Sequence, residues 1–182
     1  LRIPPSDPVL AMPVCSRCGL LGLALFALAL VGCDTNNPGR DLELVSGTYS
    51  LTEITFDPQA NALPNVDVDA RLNLTTTQLE IFSDDEEALL RVAFNGEGTR
   101  RINLRVSASR GQVRLEAVED EDVDDLADLL LPPSFTLRYA GERPAKIENA
   151  FQRNGVNLEA FDPDRYQGLT NVSGEITVVF ER

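Results

Sequence analysis

Residues 88–117 read ALLRVAFNGEGTRRINLRVSASRGQVRLEA, three alternating segments separated by two turn sequences. Apolar and polar side chains alternate most regularly at residues 102–106, and a period of two is typical of a half-buried β-strand. The glycine-containing sequences at 95–98 and 109–111 are typical of the tight turns that join antiparallel neighbours. This stretch therefore predicts three consecutive strands of an antiparallel meander.

The same alternation continues on both sides of this stretch. It predicts further strands at residues 49–56, 66–74, 79–81, 135–139, 145–151, 156–158 and 176–180. The apolar phase shifts near Glu53, which predicts a β-bulge, and Asn154-Gly155 predicts a hairpin turn. Helical spacing predicts one short acidic helix near residues 122–131, and residues 163–166 predict a single helical turn. With no βαβ pattern, the chain is predicted to be mainly β, a barrel or a sandwich.

A continuous apolar segment lies near the start of the sequence. Residues 19–31 carry no charge, follow Arg17, and fall short of the roughly 20 residues that span a bilayer. That length fits the apolar region of a secretory signal peptide. The sequence Leu30-Val31-Gly32-Cys33 resembles the lipobox of bacterial lipoproteins, and the resemblance implies cleavage before Cys33 and lipidation of its thiol.

This resemblance divides the chain into three parts. We expect residues 1–32 to be a signal peptide, in which residues 1–11 precede a true start at Met12. Residues 33–44 would be the lipidated N-terminus and a flexible polar linker, and residues 45–182 the barrel domain. The implied location is the bacterial cell envelope, on the periplasmic or outer-membrane side, with the membrane leaflet left open. The protein would contact the membrane through its N-terminal lipid.

Composition argues against several functional classes. A net charge of −13 would repel nucleic acid and anionic lipid headgroups, so we expect no nucleic-acid binding and a domain that stands off the bilayer. The chain has no histidine, no Gly-x-Ser-x-Gly sequence and no phosphate-binding glycine loop, so we expect neither an enzyme nor a cofactor. The pair of cysteines at 15 and 18 has metal-site spacing but falls in the signal peptide. A hydrolase with a carboxylate pair is the third alternative for function.

Two charged clusters need an interpretation. The acidic run at 119–128 has the oxygen ligands that calcium prefers, but it lacks the glycine and the terminal glutamate of a calcium loop. A solvated helix face is the favoured interpretation, and calcium binding stays open. The second cluster comprises Arg101, Arg105, Arg110 and Arg114. These arginines would form a basic stripe for an anionic partner if their strands are adjacent, or would pair across strands with Glu116 and nearby carboxylates.

The sequence around the first strand resembles bacterial lipocalin-like domains, which open with Gly-Thr-Trp followed by a leucine and an isoleucine. The matching residues are Gly47, Thr48, Leu51 and Ile54, with Tyr49 in the tryptophan position. The resemblance implies an up-and-down antiparallel barrel of eight or more strands. It also implies that Arg182, after the last strand, packs across Tyr49 through a cation–π contact.

The same resemblance implies an interior that binds one small hydrophobic ligand or lipid. The inward-facing set would comprise Tyr49, Leu51, Leu104, Leu115, Phe135, Leu137, Tyr139, Ile176, Val178 and Phe180. The alternative is that these residues make a filled core. The chain would then be an interaction module that binds another envelope protein through a sheet edge or the arginine-bearing face.

Overall fold

The computed structural model describes residues 38–60 and 63–182. Its elements are α1 (Pro38–Val45), β1 (Gly47–Pro58), β2 (Val66–Asp67), a 3₁₀ helix (Asp69–Arg71), β3 (Gln78–Ile81), β4 (Glu87–Phe94), β5 (Gly98–Ser109), β6 (Gln112–Ala117), α2 (Asp120–Ala127), β7 (Ser134–Arg138), β8 (Lys146–Val156), α3 (Leu158–Phe161) and β9 (Val172–Glu181). The predicted signal peptide and the lipidation at Cys33 lie outside the described residues.

The strands close into an antiparallel barrel. Consecutive strands from β3 to β9 are neighbours, β1 pairs with β3 on one side, and β1 pairs with β9 on the other. These eight strands form the closed wall, and β2 adds a short pairing to β1. The prediction of an up-and-down barrel is confirmed. The predicted bulge is also confirmed, because the register between β1 and β9 shifts between Leu51 and Glu53.

Side chains from every wall strand fill the barrel interior. The inward positions form one cluster of buried apolar residues, and the largest fully buried side chains are Tyr49, Phe56 and Phe180. An eight-stranded barrel is just wide enough for side chains to fill its interior. The packing therefore favours a filled core over a central cavity.

The segment at 66–74 differs from the predicted strand, although it has regular alternation. Its backbone pairs with β1 only at residues 66–67, turns through the 3₁₀ helix, and bridges to β4 where Leu72 faces Phe94. The alternate residues Val66, Val68 and Leu72 are nevertheless buried. Because β3 is short, this segment occupies the rest of the space between β1 and β4. Burial thus alternates at Val66, Val68 and Leu72 without a continuous ladder, but not at Ala70, which is exposed in the 3₁₀ helix.

The turn predicted at Asn154-Gly155 is wrong. Strand β8 runs through both residues and absorbs them as an irregularity in its pairing with β9, between Arg153 and Val156. Gly155 has φ of 70°, a conformation that glycine adopts without strain and that suits both a bulge and a turn. Leu158 then begins α3, and the turn at 163–165 follows it, closed by a hydrogen bond from the Tyr166 N–H to the Asp162 carbonyl at 2.9 Å.

Two helices also differ from expectation. The flexible linker predicted for 33–44 is wrong from Pro38 onward, because α1 forms there and buries Leu42 and Val45. The acidic helix begins two residues before the predicted start and ends at Ala127. Its early start follows from the Asp122 carboxylate, which accepts a hydrogen bond from the Glu119 N–H at 3.1 Å.

Residues Asn36–Arg182 form a compact unit. Every core residue of the described chain lies between Leu42 and Phe180, so this unit contains its own hydrophobic core. We therefore expect it to fold without residues 1–32. None of the helices in the described ranges has the length and apolar character needed to cross a membrane.

Candidate functional site

The barrel wall has one weak seam, between β7 and β8. Strand β8 pairs with β9 from Lys146 to Val156, whereas its pairing with β7 is confined to Arg138 opposite Glu148. Strand β7 is meanwhile paired along its length with β6. Backbone pairing therefore extends along β6 and β7 and along β8 and β9, but is almost absent between β7 and β8.

Side chains take the place of the missing ladder. The Asn149 amide nitrogen donates a hydrogen bond to the Thr136 carbonyl at 2.8 Å, which joins β8 to β7 directly. Further along the seam, the rings of Phe135 on β7 and Phe151 on β8 stack with their centroids 6.4 Å apart. Arg153 extends the bridge, because its Nε donates to the Leu130 carbonyl at 3.3 Å. Burial lowers the pKa of the Arg153 guanidinium.

A groove of about 700 Å³ opens along this seam. Its lining residues are Arg138, Tyr139, Ala140, Lys146, Glu148, Asn149, Ala150 and Thr177. Outward-facing residues of β8 form one wall, and the half-buried Tyr139 packs against the core cluster. Burial raises the pKa of the Tyr139 hydroxyl, and the nearby Asp41 carboxylate raises it further. The phenol therefore stays neutral near pH 7.

Charge at the mouth of the groove is uneven. Lys146 is neutralised by Glu148, whose carboxylate lies 2.7 Å from the lysine nitrogen. Arg138 has no carboxylate within 4 Å among the described residues. The groove thus combines small apolar side chains with one uncompensated guanidinium.

The resemblance-based expectation for Arg182 is confirmed. Its guanidinium carbon lies 4.6 Å from the centroid of the Tyr49 ring, and Nη2 donates to the Tyr49 hydroxyl at 2.8 Å. The same nitrogen lies 3.2 Å from where a Cβ on Gly47 would be, and Gly47 has φ of 128°. Glycine at 47 thus gives the arginine room to cover the tyrosine.

The predicted ligand-binding residues occupy two different places. Nine of the ten are buried in the core, and only Tyr139 is partly exposed and lines the groove. A ligand role for the nine buried residues stays a prediction. The groove itself was missed, because most of its lining faces outward. The sequence contains one indication of the groove, because Asn149 is a polar residue at an inward position of β8, between Ile147 and Phe151.

The predicted arginine cluster lies on β5, on β6 and on the turn between them, which contains Arg110. Arg101, Arg105, Arg114 and Arg138 are exposed on the outer side of β5, β6 and β7, and we call this surface the arginine face. Strands β5 and β6 are adjacent as expected, with Arg105 opposite Glu116 and Ser107 opposite Arg114. The ion pair that forms here lies within β6, where Arg114 contacts Glu116 at 3.4 Å, whereas Arg105 is in register with Glu116 across the strands without a carboxylate within 4 Å among the described residues.

Part of the acidic run has partners within the protein. Asp122 is buried and accepts hydrogen bonds from two backbone N–H groups, of Asn103 and Glu119. Asp125 and Asp128 both contact Arg100, at 3.0 and 2.5 Å. Within residues 38–60 and 63–182, no group of three or more potential metal ligands converges. These contacts favour the structural interpretation of the run.

No protein-family model matches the sequence, and no curated protein is significantly similar to it.

Proposed function

We propose that this chain is a non-enzymatic bacterial envelope lipoprotein, anchored by lipid on Cys33, whose barrel binds an elongated hydrophobic or amphipathic small molecule. The groove between β7 and β8 carries the binding part of this proposal. Its volume of about 700 Å³ lies within the range of roughly 300–1,000 Å³ that is usual for ligand sites. The apolar sequence before Cys33 supports the anchoring part.

The groove is a better site than the barrel interior. Tyr49, Phe56 and Phe180 occupy the interior, so a central ligand would have to displace packed side chains. In the groove, Ala140 and Ala150 leave space, and the Tyr139 ring supplies an apolar surface. The guanidinium of Arg138 has no carboxylate within 4 Å in the described part of the chain, and it favours a ligand with an anionic end, such as a fatty acid.

A second candidate function rests on the same seam. Because β7 pairs with β8 at one position only, its edge can accept an extended segment of another envelope protein. Backbone hydrogen bonds would then provide the affinity, as in other cases of strand addition. The two candidates differ in what occupies the groove, a small molecule or a polypeptide.

One substitution tests occupation of the groove. Ala150→Trp places a large ring in it, and Ala70→Trp makes the same change at an exposed site on the 3₁₀ helix. We expect Ala150→Trp to weaken binding of a fluorescent fatty acid by about tenfold or more, equivalent to roughly 1.4 kcal/mol. Ala70→Trp should bind like the unchanged protein. Equal binding by both variants would remove the groove from the proposal.

Native mass spectrometry of protein purified from its own membranes tests the remainder. We expect a mature chain that begins at Cys33 and carries acyl mass, together with a bound lipid that Ala150→Trp loses. Cys33→Ser should abolish the acyl mass and release the protein from the membrane. A co-purifying polypeptide in place of the lipid would favour the second candidate. A chain without acyl mass would refute the anchoring.

A further inference from the structure

The arginine face concentrates positive charge, and among the described residues only Arg114 of this face has a carboxylate within 4 Å. Arg101, Arg105 and Arg138 have no carboxylate within 4 Å in the described part of the chain. Arg114 contacts Glu116, but both side chains are about half exposed, and such pairs are weak. Arg101 also lies directly opposite a second arginine, Arg91, whose guanidinium contacts Glu80 at 3.1 Å. This arrangement in a chain of net charge −13 fits a negatively charged binding partner.

A polar hollow lies within this face. It has a volume of about 360 Å³ and is lined by Ser107, Ser109, Arg110, Gln112, Arg114 and Thr136. Hydroxyl and amide groups surround the guanidinium of Arg114, and Arg105 and Arg138 lie beside them on the neighbouring strand positions. Hydroxyl, amide and guanidinium donors are the groups that bind phosphate oxygens, and arginine does so in a bidentate manner.

The hollow lies at the end of the barrel where the N-terminal segment joins it. The Asp41 carboxylate of α1 accepts a hydrogen bond from the Arg110 N–H at 3.2 Å, at the turn between β5 and β6. Leu42 and Val45 fix α1 to the core. Cys33 precedes Pro38 by five residues, which reach at most about 18 Å when fully extended. A lipid on Cys33 would therefore keep this turn close to the membrane surface.

We propose that the arginine face docks the barrel onto the phosphate headgroups of anionic phospholipids. The inference rests on the proposed anchoring, because the tether holds the face near the surface. It modifies the expectation that the domain stands off the bilayer. The net charge predicts repulsion, but charges beyond a screening length of about 8 Å act weakly. Within the face, the four arginines outnumber the three carboxylates in register with them, which are Glu87, Glu116 and Glu148. Each arginine near an anionic membrane strengthens binding by about fivefold.

A synthetic tether tests docking whether or not cells acylate the protein. Residues 33–182 contain Cys33 as their only cysteine, so its thiol can be coupled to a maleimide-bearing lipid in vesicles. The chain has no tryptophan, so Asn103→Trp gives a single reporter on the arginine face, between Arg101 and Arg105 and outside the lining of the hollow. Thr55→Trp gives the matched reporter on β1, across the barrel from β6. Quenching by a spin label on lipid headgroups then reports which side approaches the membrane.

We expect stronger quenching of the Asn103→Trp reporter in vesicles that contain phosphatidylglycerol than in pure phosphatidylcholine. High salt should remove the difference, and the Thr55→Trp reporter should show none. Adding R105Q and R114Q should lower the ratio of docked to undocked protein by about 25-fold. The control substitutions R71Q and R165Q remove two arginines at the opposite end of the barrel, near α3, and should change the ratio little.

Equal quenching of the two reporters, or equal effects of the two arginine pairs, would overturn the docking. Inorganic phosphate tests the alternative source of the same chemistry. If phosphate at low concentration abolishes docking at constant ionic strength, the hollow is a site for free phosphate and the membrane proposal is wrong. Failure of docking with acyl mass present on Cys33 would leave the proposed anchoring intact. Docking on the synthetic tether without natural acylation would remove only the anchoring.

Discussion

Replacement of Arg182 by methionine tests how much the contact between Arg182 and Tyr49 stabilises the barrel. The guanidinium lies 4.6 Å from the centroid of the Tyr49 ring and donates hydrogen bonds to the Tyr49 hydroxyl and the Ser46 carbonyl. A cation–π contact is worth about 0.5–2 kcal/mol, and a hydrogen bond to a charged group up to about 3 kcal/mol. Because Arg182 is exposed, water replaces much of this. We expect Arg182→Met to lower the free energy of unfolding by about 2 kcal/mol.

The measurement is urea unfolding of residues 36–182 at neutral pH. Methionine keeps much of the apolar stem, so the loss reports mainly on the guanidinium. Arg165→Met is the matched control, because Arg165 lies 5.2 Å from the buried Tyr166 ring without a hydrogen bond to it. That variant should lose less than about 1 kcal/mol. Equal losses in the two variants would show that Arg182 has no special role.

Three further predictions concern the wall, the tyrosines and the seam. Gly174→Ala should lower the free energy of unfolding by about 3 kcal/mol in chemical denaturation, because the new Cβ would lie 2.6 Å from the Phe56 ring. Burial raises the pKa of Tyr49 and Tyr139 above the unfolded value near 10. Their contribution is complete below pH of about 10 and is lost as pH rises through the folded pKa values, so unfolding titrations should show falling stability there. Asn149→Leu should cost about 1 kcal/mol and speed hydrogen exchange selectively in β7.

The sequence predicts those parts of the barrel that depend on neighbouring residues. Alternation and glycine turns define β4, β5 and β6, because hairpin pairing is set by the turn and the apolar pattern. The phase shift at Glu53 predicts the bulge for the same reason. The Arg182 contact with Tyr49 was predicted through a family resemblance, since the two residues are far apart in the chain.

Other elements depend on contacts that a local pattern cannot reveal. The segment at 66–74 alternates like a strand, yet the shortness of β3 decides that it bridges β1 and β4. Asn154-Gly155 is compatible with a turn or a bulge, and the continuous partner β9 selects the bulge. Helix α1 forms in a polar segment because Leu42 and Val45 find an apolar surface on the barrel. In each case tertiary packing overrides local preference.

The seam connects the two proposed surfaces. Arg138 lies on the arginine face and also lines the groove, and it is the β7 residue that pairs with β8. Docking of the face on a membrane would bring the groove mouth close to the same headgroups that supply an amphipathic ligand. Because side chains such as Asn149 hold the seam in place of a ladder, its opening breaks few hydrogen bonds. A molecule leaving the membrane would then meet the most easily opened part of the wall first.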